Sequence, residues 1–514
     1  VASTGVDAGN SCLDAAQPCG SLKWAVAQAQ TGDEIKIGEG VYTNPDIVIE
    51  QRMLVVNKTL TLSGGYGAGD WDNSDPVAYP TILDGQGLGQ VLYVNTPGIT
   101  VSVNGLTLQR GTNQSVYVQN ARLLMGASRV ISGTGTYAVY LHDSDGTQIV
   151  NSRIANASST GVYVYSSNGV LLQDSTIAGH SSTGVYLDQI NNNATLSGNT
   201  ISGNRSRGVY LYNNNNYVRL INNRITGAAG TSGRGIHFFT SNDYVRIEGN
   251  TIADNNGDGI YFEGNNSNTN LTLENNLIVR NAGDGLDWAA GTGNGVLRHN
   301  TVSNNGSASS AGLYVGSVTL TLVNNIIANQ GYGIRTINTA ANVQADHTLW
   351  FANTADTAAL GGNTIATTNN LYGDPAFKGG GDPFDAYHIT AASAAIDAGV
   401  VTSLVTDIDG EGRAPDVGAD EYPVVLSLTP DYRRAADPDT VASYVHTLRN
   451  SGGVTDTVTL TAVSSQGWSV VVEPESAAVG IGQTIPVTLT VTVPPGVDGL
   501  VDTSVITATS TISP

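Results

Sequence analysis

Lysine is nearly missing from this chain: it occurs only at Lys23, Lys36, Lys58 and Lys378, so no ammonium group stands between positions 58 and 378. That absence argues against a uronate polymer such as pectate or alginate, whose carboxylates need cationic partners. Charged residues of both signs amount to only 13%, and the balance is acidic, with a formal charge of -21 and a pI near 4.5. Such a surface repels DNA, RNA, anionic lipid and acidic polysaccharide over a Debye length, which excludes a nucleic-acid role. No apolar run is long enough to span a bilayer, and the chain opens at Val1 without an initiator methionine or a charged leader region. It reads as a mature, exported product, secreted and extracellular or at a cell surface. Cysteine is limited to Cys12 and Cys19. With six residues between them in a segment rich in Asp, Asn and Pro, they are expected to form a local disulfide in an oxidising compartment.

What is abundant is glycine, 62 residues in 514, together with asparagine, serine and threonine at turns. A chain this long exceeds one ordinary core, so it is several domains or an array growing in one direction. Repeats decide for the array. A marker glycine recurs at Gly161, Gly184, Gly208, Gly235, Gly259, Gly285, Gly312 and Gly333, in steps from 21 to 27 residues, with Ala138 one turn earlier. Aliphatic positions keep step at Ile154, Ile177, Ile201, Ile225, Ile252, Ile278, Val302 and Ile327. Two residues before them stand Ser152, Ser175, Asn199, Asn223, Asn250, Asn276, Asn300 and Asn325. Turns of about 24 residues with stacking equivalents are what a right-handed parallel β-helix requires, each coil carrying at least two strands. The asparagines are expected to form an internal ladder, each bonding its counterpart one rung away.

The predicted organisation is an N-terminal cap over 1–33, a β-helix over 34–386, an acidic C-terminal cap over 387–422 and an immunoglobulin-like β-sandwich over 423–514. In the first cap, Gly20 or Ser21 starts a short helix whose Leu22, Ala25, Val26 and Ala29 share a face suited to cover the open end of the coil. The last segment alternates in long strands separated by Gly and Pro turns, the spacing of about seven strands.

The runs CLDAAQPCGSLKWAVAQAQTGDEIKIGEGVYT and LTLSGGYGAG are similar to the N-terminal cap of bacterial secreted β-helix repeat proteins. HITAASAAIDAG and TDIDGEGRAPDVGADEY resemble the end of the β-helix in large bacterial surface proteins, and LRNSGGVTDTVTLTAVSSQGW with VTVPPG resembles an envelope-type immunoglobulin-like domain. The resemblance implies an architecture. It says little of activity, because β-helices host lyases, hydrolases, adhesins and spacers alike.

Two residues after each marker glycine lies an outward column: Tyr140, Tyr163, Tyr186, Tyr210, His237, Tyr261, Asp287, Tyr314 and Arg335, with Tyr165, Tyr212 and Phe239 beside it. Tyr140, Tyr163, Tyr186, Tyr210, Tyr212, Tyr261 and Tyr314 form a candidate platform for sugar rings. Carboxylates gather where the column loses tyrosine. Asp258 and Asp284 precede marker glycines on adjacent turns, with Asp287, Glu263, His237, Arg234 and Arg207 nearby. Paired carboxylates at rung spacing can supply a general acid beside a base; in NNGDGI and NAGDGL the same aspartates also suit a corner in which Asp bonds its own turn. The Asn-Thr-Asp, Asp-Asp, Gly-His-Gly and Arg-Ile-Lys set of polygalacturonase-like hydrolases is not in the sequence, AGHSS around His180 being its nearest fragment, nor is the Asp-Pro-His-Glu of mannuronan epimerases. Asp407, Asp409 and Glu411 in TDIDGEGR suggest a Ca2+ loop, although Gly418 stands where an EF-hand needs its glutamate. Asp70, Asp72 and Asp75 form a looser acidic loop, and no other cofactor is expected.

These readings favour a non-enzymatic extracellular rod, structural or adhesive. A chain ending at Pro514, short of the strand that closes related sandwiches, is expected to offer an open edge for self-association, head to tail or lateral. Cell-surface glycans are the other expected partner. The alternative is a polysaccharide-active enzyme for a neutral glycan, or a carbohydrate-binding module, using the tyrosine columns and Asp258, Asp284 and Asp287.

Overall fold

Side chains alternate in and out along a strand, and a repeat of about two dozen residues brings each inward side chain over its counterpart. The computed structural model, which describes all residues except 265–266, 338–339, 361–362, 414–415, 423–425, 451, 453–454, 498 and 512–514, shows the result as a parallel β-helix. Every typical coil carries three strands. Taking one coil, they are Thr160–Tyr165, Leu171–Gln173 and Thr176–Ala178. We call the faces they build sheets I, II and III. Sheet III is 14-stranded and runs from Gly40–Tyr42 to Leu371–Tyr372. Sheets I and II are joined where two strands, Leu286–Arg298 and Ala311–Val323, pass through both faces without a corner.

Register is kept by the interior. In sheet I, Val139, Val162, Val185, Val209, Ile236, Ile260 and Leu286 stack inward in successive rungs, all fully buried. Ile154, Ile177, Ile201, Ile225, Ile252, Ile278 and Val302 do the same in sheet III. The marker glycine is needed because rungs close up there: a Cβ on Gly208 would lie 2.4 Å from Ile225 Cγ2 and 2.7 Å from Gly235 O.

Corners carry the polar burden. Between sheets II and III, the backbone N–H groups of Asn199, Asn223, Asn250 and Asn276 donate to the side-chain Oδ1 of Asn223, Asn250, Asn276 and Asn300 one rung on, at 2.9–3.1 Å. Their Nδ2 groups donate to buried carbonyls such as Leu220 O, 2.8 Å from Asn250 Nδ2. Asn325 is buried in the same series. The residue before each of these, Asn222 or Asn275 for instance, takes a positive φ that Asn tolerates. The other two corners have ladders of their own. Ser167, Asn191, Asn215, Asn242 and Asn268 link the rungs between sheets I and II. Between sheets III and I the series runs through His180, Asn204, Asn255, Asn281, Asn305 and Gln330.

At the start of the coil, Ser21 Oγ accepts the N–H of Trp24 and caps the helix Leu22–Gln28, whose Leu22, Ala25 and Val26 are buried next to Arg52–Val56. A disulfide joins Cys12 to Cys19. A second compact unit contains two antiparallel sheets. One has four strands, Leu426–Thr429, Thr440–Asn450, Thr484–Val493 and Ser469–Glu473; the other has three, Ser476–Val479, Asp456–Ser464 and Ser504–Ser510. Leu448, Val458, Leu460, Val472, Val479 and Val487 form their core. The expected boundary between 422 and 423, and the terminal Pro514, lie outside the described residues.

Candidate functional site

Strict register turns the outward column of sheet I into a continuous strip. Tyr93, Tyr117, Tyr140 and Tyr163 stack nearly parallel, ring centres 5.0–5.2 Å apart. Tyr186 then meets Tyr163 edge-on at 5.1 Å, and Tyr163 Oη donates to Asp188. Tyr93 and Tyr117 extend the strip two rungs beyond Tyr140. They were legible in the sequence as the outward residues of VLYV and SVYV, but no marker glycine precedes either.

Not every member of the column faces solvent. Tyr210 is only 7% exposed, and His237 is fully buried, so the expectation that both present themselves outward is corrected. Each is covered from the rungs on either side. The His237 ring lies 4.6 Å from that of Tyr210 and 5.1 Å from that of Tyr261, while Arg207 and Arg234 lie over Tyr210 and Tyr261. Burial first, then the two guanidinium charges, push the His237 pKa down to about 2. The imidazole is therefore neutral. Its Nδ1 accepts from Arg207 Nε at 2.5 Å, so Nε2 bears the proton, 2.8 Å from Glu263 Oε2 but out of line for a full hydrogen bond. Tyr212 stacks on Phe239 at 4.7 Å, and Tyr314 lies beside Arg335.

One and two rungs further on, the carboxylates converge. Oxygens of Asp258, Asp284 and Asp287 all lie within 4.8 Å of one another. The two corner aspartates do not cap their own turns. Asp258 Oδ1 accepts the N–H of Asp284 at 2.9 Å, and Asp284 Oδ1 accepts that of Ala311 at 2.5 Å, so each carboxylate ties its rung to the next. Asp287, in register with Tyr261 and Tyr314, accepts the N–H of Ala289 at 3.0 Å. Arg234 Nε stands 3.6 Å from Asp258 Oδ2. Desolvation raises the pKa of Asp284 to about 6 and that of Asp287 to about 7, and their like-charged neighbours push in the same direction. Beneath the cluster the interior changes from aliphatic to aromatic: Phe238, Phe262 and Trp288 stack at 4.5 and 4.2 Å, all buried. The three carboxylates have the donor set for a hard divalent cation, and equally the pairing of an acid with a base.

The remaining candidates are placed otherwise. His180 belongs to a corner ladder, with Nδ1 accepting from Ala157 N and Nε2 facing Ile154 O, and burial lowers its pKa to about 4. Asp407, Asp409 and Glu411 do not form a common ligand shell, because Asp407 Oδ1 already accepts the N–H groups of Asp409 and Glu411 and its Oδ2 that of Glu421. Asp70 and Asp75 cap their own loops.

A model of the right-handed β-helix region matches residues 90–243, 137–295 and 228–349, and the chain belongs to that family. No curated protein matches it. Among solved structures, it is similar to pectate lyase Pel9A, with 16% identity over 82% of this chain and 95% of the other and a TM-score of 0.46. It is also similar to the A-module of mannuronan C-5 epimerase AlgE6 from Azotobacter vinelandii, at 14% identity over 68% and 93% of the two chains and a TM-score of 0.41. A third is the catalytic unit of a GH87 α-1,3-glucanase from Streptomyces thermodiastaticus, 14% identical over 67% and 65%, with a TM-score of 0.40. Likeness at this level leaves the chemistry of the coil to its own residues.

Proposed function

We propose that the chain cleaves a neutral polysaccharide at Asp258, Asp284 and Asp287, with the tyrosine strip of sheet I as the platform along which the glycan lies. One observation carries this reading: three carboxylates from adjacent rungs converge within 4.8 Å of one another, Asp258 beside the Arg234 guanidinium and Asp287 with its pKa raised by burial to about 7. Pairs of carboxyls whose surroundings separate them divide into an acid and a base. Asp287 donates its proton to the departing glycosidic oxygen as the bond to the sugar carbon breaks, Asp258 bonds that carbon in its place, and a water that gives its proton back to Asp287 then displaces Asp258 and releases the sugar. Asp284 fixes the spacing between them through its bonds to both flanking rungs. Neutral His237 positions Arg207 and stays out of proton transfer.

Rungs about 4.8 Å apart present one ring after another along the coil, and because these rings stack on one another, a glycan parallel to the axis meets their edges and phenolic hydroxyls, one set at each rung. The formal charge of -21 and the three converging carboxylates favour uncharged sugars over acidic ones. The inter-rung bonds of Asp258 and Asp284 would serve any coil, but among the described residues the desolvated Asp287 beside them ties no rung to another, accepting only the N–H of Ala289, and this is why the enzymatic reading takes first place. The acidic surface, the disulfide and a glycan substrate together support action outside the cell, and the seven antiparallel strands support an immunoglobulin-like accessory domain.

The test is sugar release from a panel of neutral polysaccharides by the intact chain and by Asp287→Asn. Release that disappears in the variant supports the reading. Glycan binding with no release from any substrate would leave a carbohydrate-binding module in its place.

A further inference from the structure

The second compact unit holds a cluster that the proposed glycan site does not use. His388 follows the short helix Pro383–Ala386, Asp409 lies on an exposed turn, and Asp420 is buried further along the chain. His388 Nε2 is 2.8 Å from Asp409 Oδ2 and 3.7 Å from Asp420 Oδ1, and one such atom from each of the three lies within 4.8 Å of the others. We propose that His388, Asp409 and Asp420 bind a divalent transition-metal ion of the zinc class.

Each ligand is held from behind. The Nδ1 of His388 sits 3.2 Å from the Asp385 carbonyl oxygen and donates to it, which leaves Nε2 turned to the two carboxylates, where a bound cation takes the place of its proton. That outer bond is the kind that fixes the tautomer of a ligating histidine. Asp420 spends Oδ2 on the N–H of Ile389 at 2.6 Å and keeps Oδ1 towards the imidazole. Asp409 is set by Asp407, whose Oδ1 accepts its N–H at 2.9 Å. Nε2 itself is enclosed by protein and makes no well-aligned hydrogen bond, despite facing two carboxylates. An ion with bonds of about 2.0–2.2 Å to N and O holds its ligand atoms about 3.3–3.5 Å apart, between the two separations found here. A nitrogen donor beside two oxygens suits Zn2+ and its neighbours better than Ca2+ or Mg2+, which prefer all-oxygen shells. Three protein ligands, one of them on the surface, leave a fourth position to water. The ion's role is to staple the turn after residue 386 to the acidic turns at 409 and 420, coupling metal affinity to the folding of this segment.

The experiment uses the full chain, stripped with a chelator and titrated with ZnCl2 by calorimetry and with CoCl2 by visible absorbance, beside H388Q, D409N and D284N. The expected result is one Zn2+ per chain. Affinity falls at least about tenfold in both H388Q and D409N, stays unchanged in D284N, and a Co2+ absorption band vanishes in H388Q. D409N alters an exposed side chain, so it tests the site even if H388Q lowers the melting temperature. Failure of the unmodified chain to bind Zn2+ overturns the proposal and leaves His388 and Asp409 as a plain ion pair. So do binding that survives in D409N, binding lost in D284N, which assigns the ion to the coil carboxylates, and tighter binding of CaCl2 than of ZnCl2.

Discussion

Asp258 Oδ1 accepts the backbone N–H of Asp284 from the next rung at 2.9 Å. A residue expected to cap its own corner is a strut between coils, and Asp284 repeats the pattern with Ala311. The carboxylates are thus positioned by the regular part of the fold, where their placement is set by stacked rungs and not by loop conformation.

Replacing Asp287 by Asn should abolish glycan cleavage and leave the fold intact. Its carboxyl is desolvated, so the neutral amide removes a cost: at pH 8 the variant should equal or exceed the parent in stability, by up to about 2 kcal/mol once residual solvation is discounted. Parallel activity and thermal-melt measurements check both halves. Full activity in the variant would remove Asp287 from the mechanism.

The same shifts set a pH dependence. Asp284 and Asp287 have folded-state pKa values raised to about 6 and about 7, so between the unfolded value near 4 and those values the native state binds more protons than the unfolded one. Their contribution to stability falls as pH rises through that window and levels off above about pH 7. Cleavage that needs protonated Asp287 should decline above about pH 7 in step. A rate that climbs steadily to pH 9 would assign the proton to another group.

Asn250→Ala should lower the melting temperature by several degrees without altering glycan binding. It removes the acceptor for Asn223 N, 2.9 Å away, and the donor to Leu220 O at 2.8 Å. Each buried backbone group left unpaired costs about 1–3 kcal/mol. Denaturant unfolding measures the loss.

Tyr140→Ala should weaken binding of a neutral oligosaccharide by roughly fivefold. Its ring lies 5.2 Å from those of both Tyr117 and Tyr163, and an interrupted strip loses an edge and a hydroxyl contact worth about 1 kcal/mol. Isothermal titration with the inactive Asp287→Asn chain separates binding from turnover. An unchanged affinity would place the glycan elsewhere.

Reducing the Cys12–Cys19 bond should destabilise the N-terminal cap by a little over 2 kcal/mol, the loop-closure entropy of so short a ring. Hydrogen exchange with and without reductant, read at the helix Leu22–Gln28, tests it.

What the sequence by itself determined is everything that depends on periodicity. In a coil, residues one period apart must stack, so the spacing of Gly208, Gly235 and Gly259 and of Ile201, Ile225 and Ile252 dictated register, interior and the outward strip without reference to any long-range contact. The third strand of each coil and the ladders through Asn191, Asn215 and Asn242 or Asn255, Asn281 and Asn305 obey the same rule. They went unread because three-residue strands and single polar residues make a weak local signal. Tertiary structure decided what depends on solvent and on convergence. Only the packing of Tyr210, Tyr261 and two arginines buries His237 and keeps it neutral. Only the desolvated floor and facing carboxylates raise Asp284 and Asp287. His388, Asp409 and Asp420 share no period, so nothing in their spacing could announce that an irregular segment folds back to bring one imidazole and two carboxylates together.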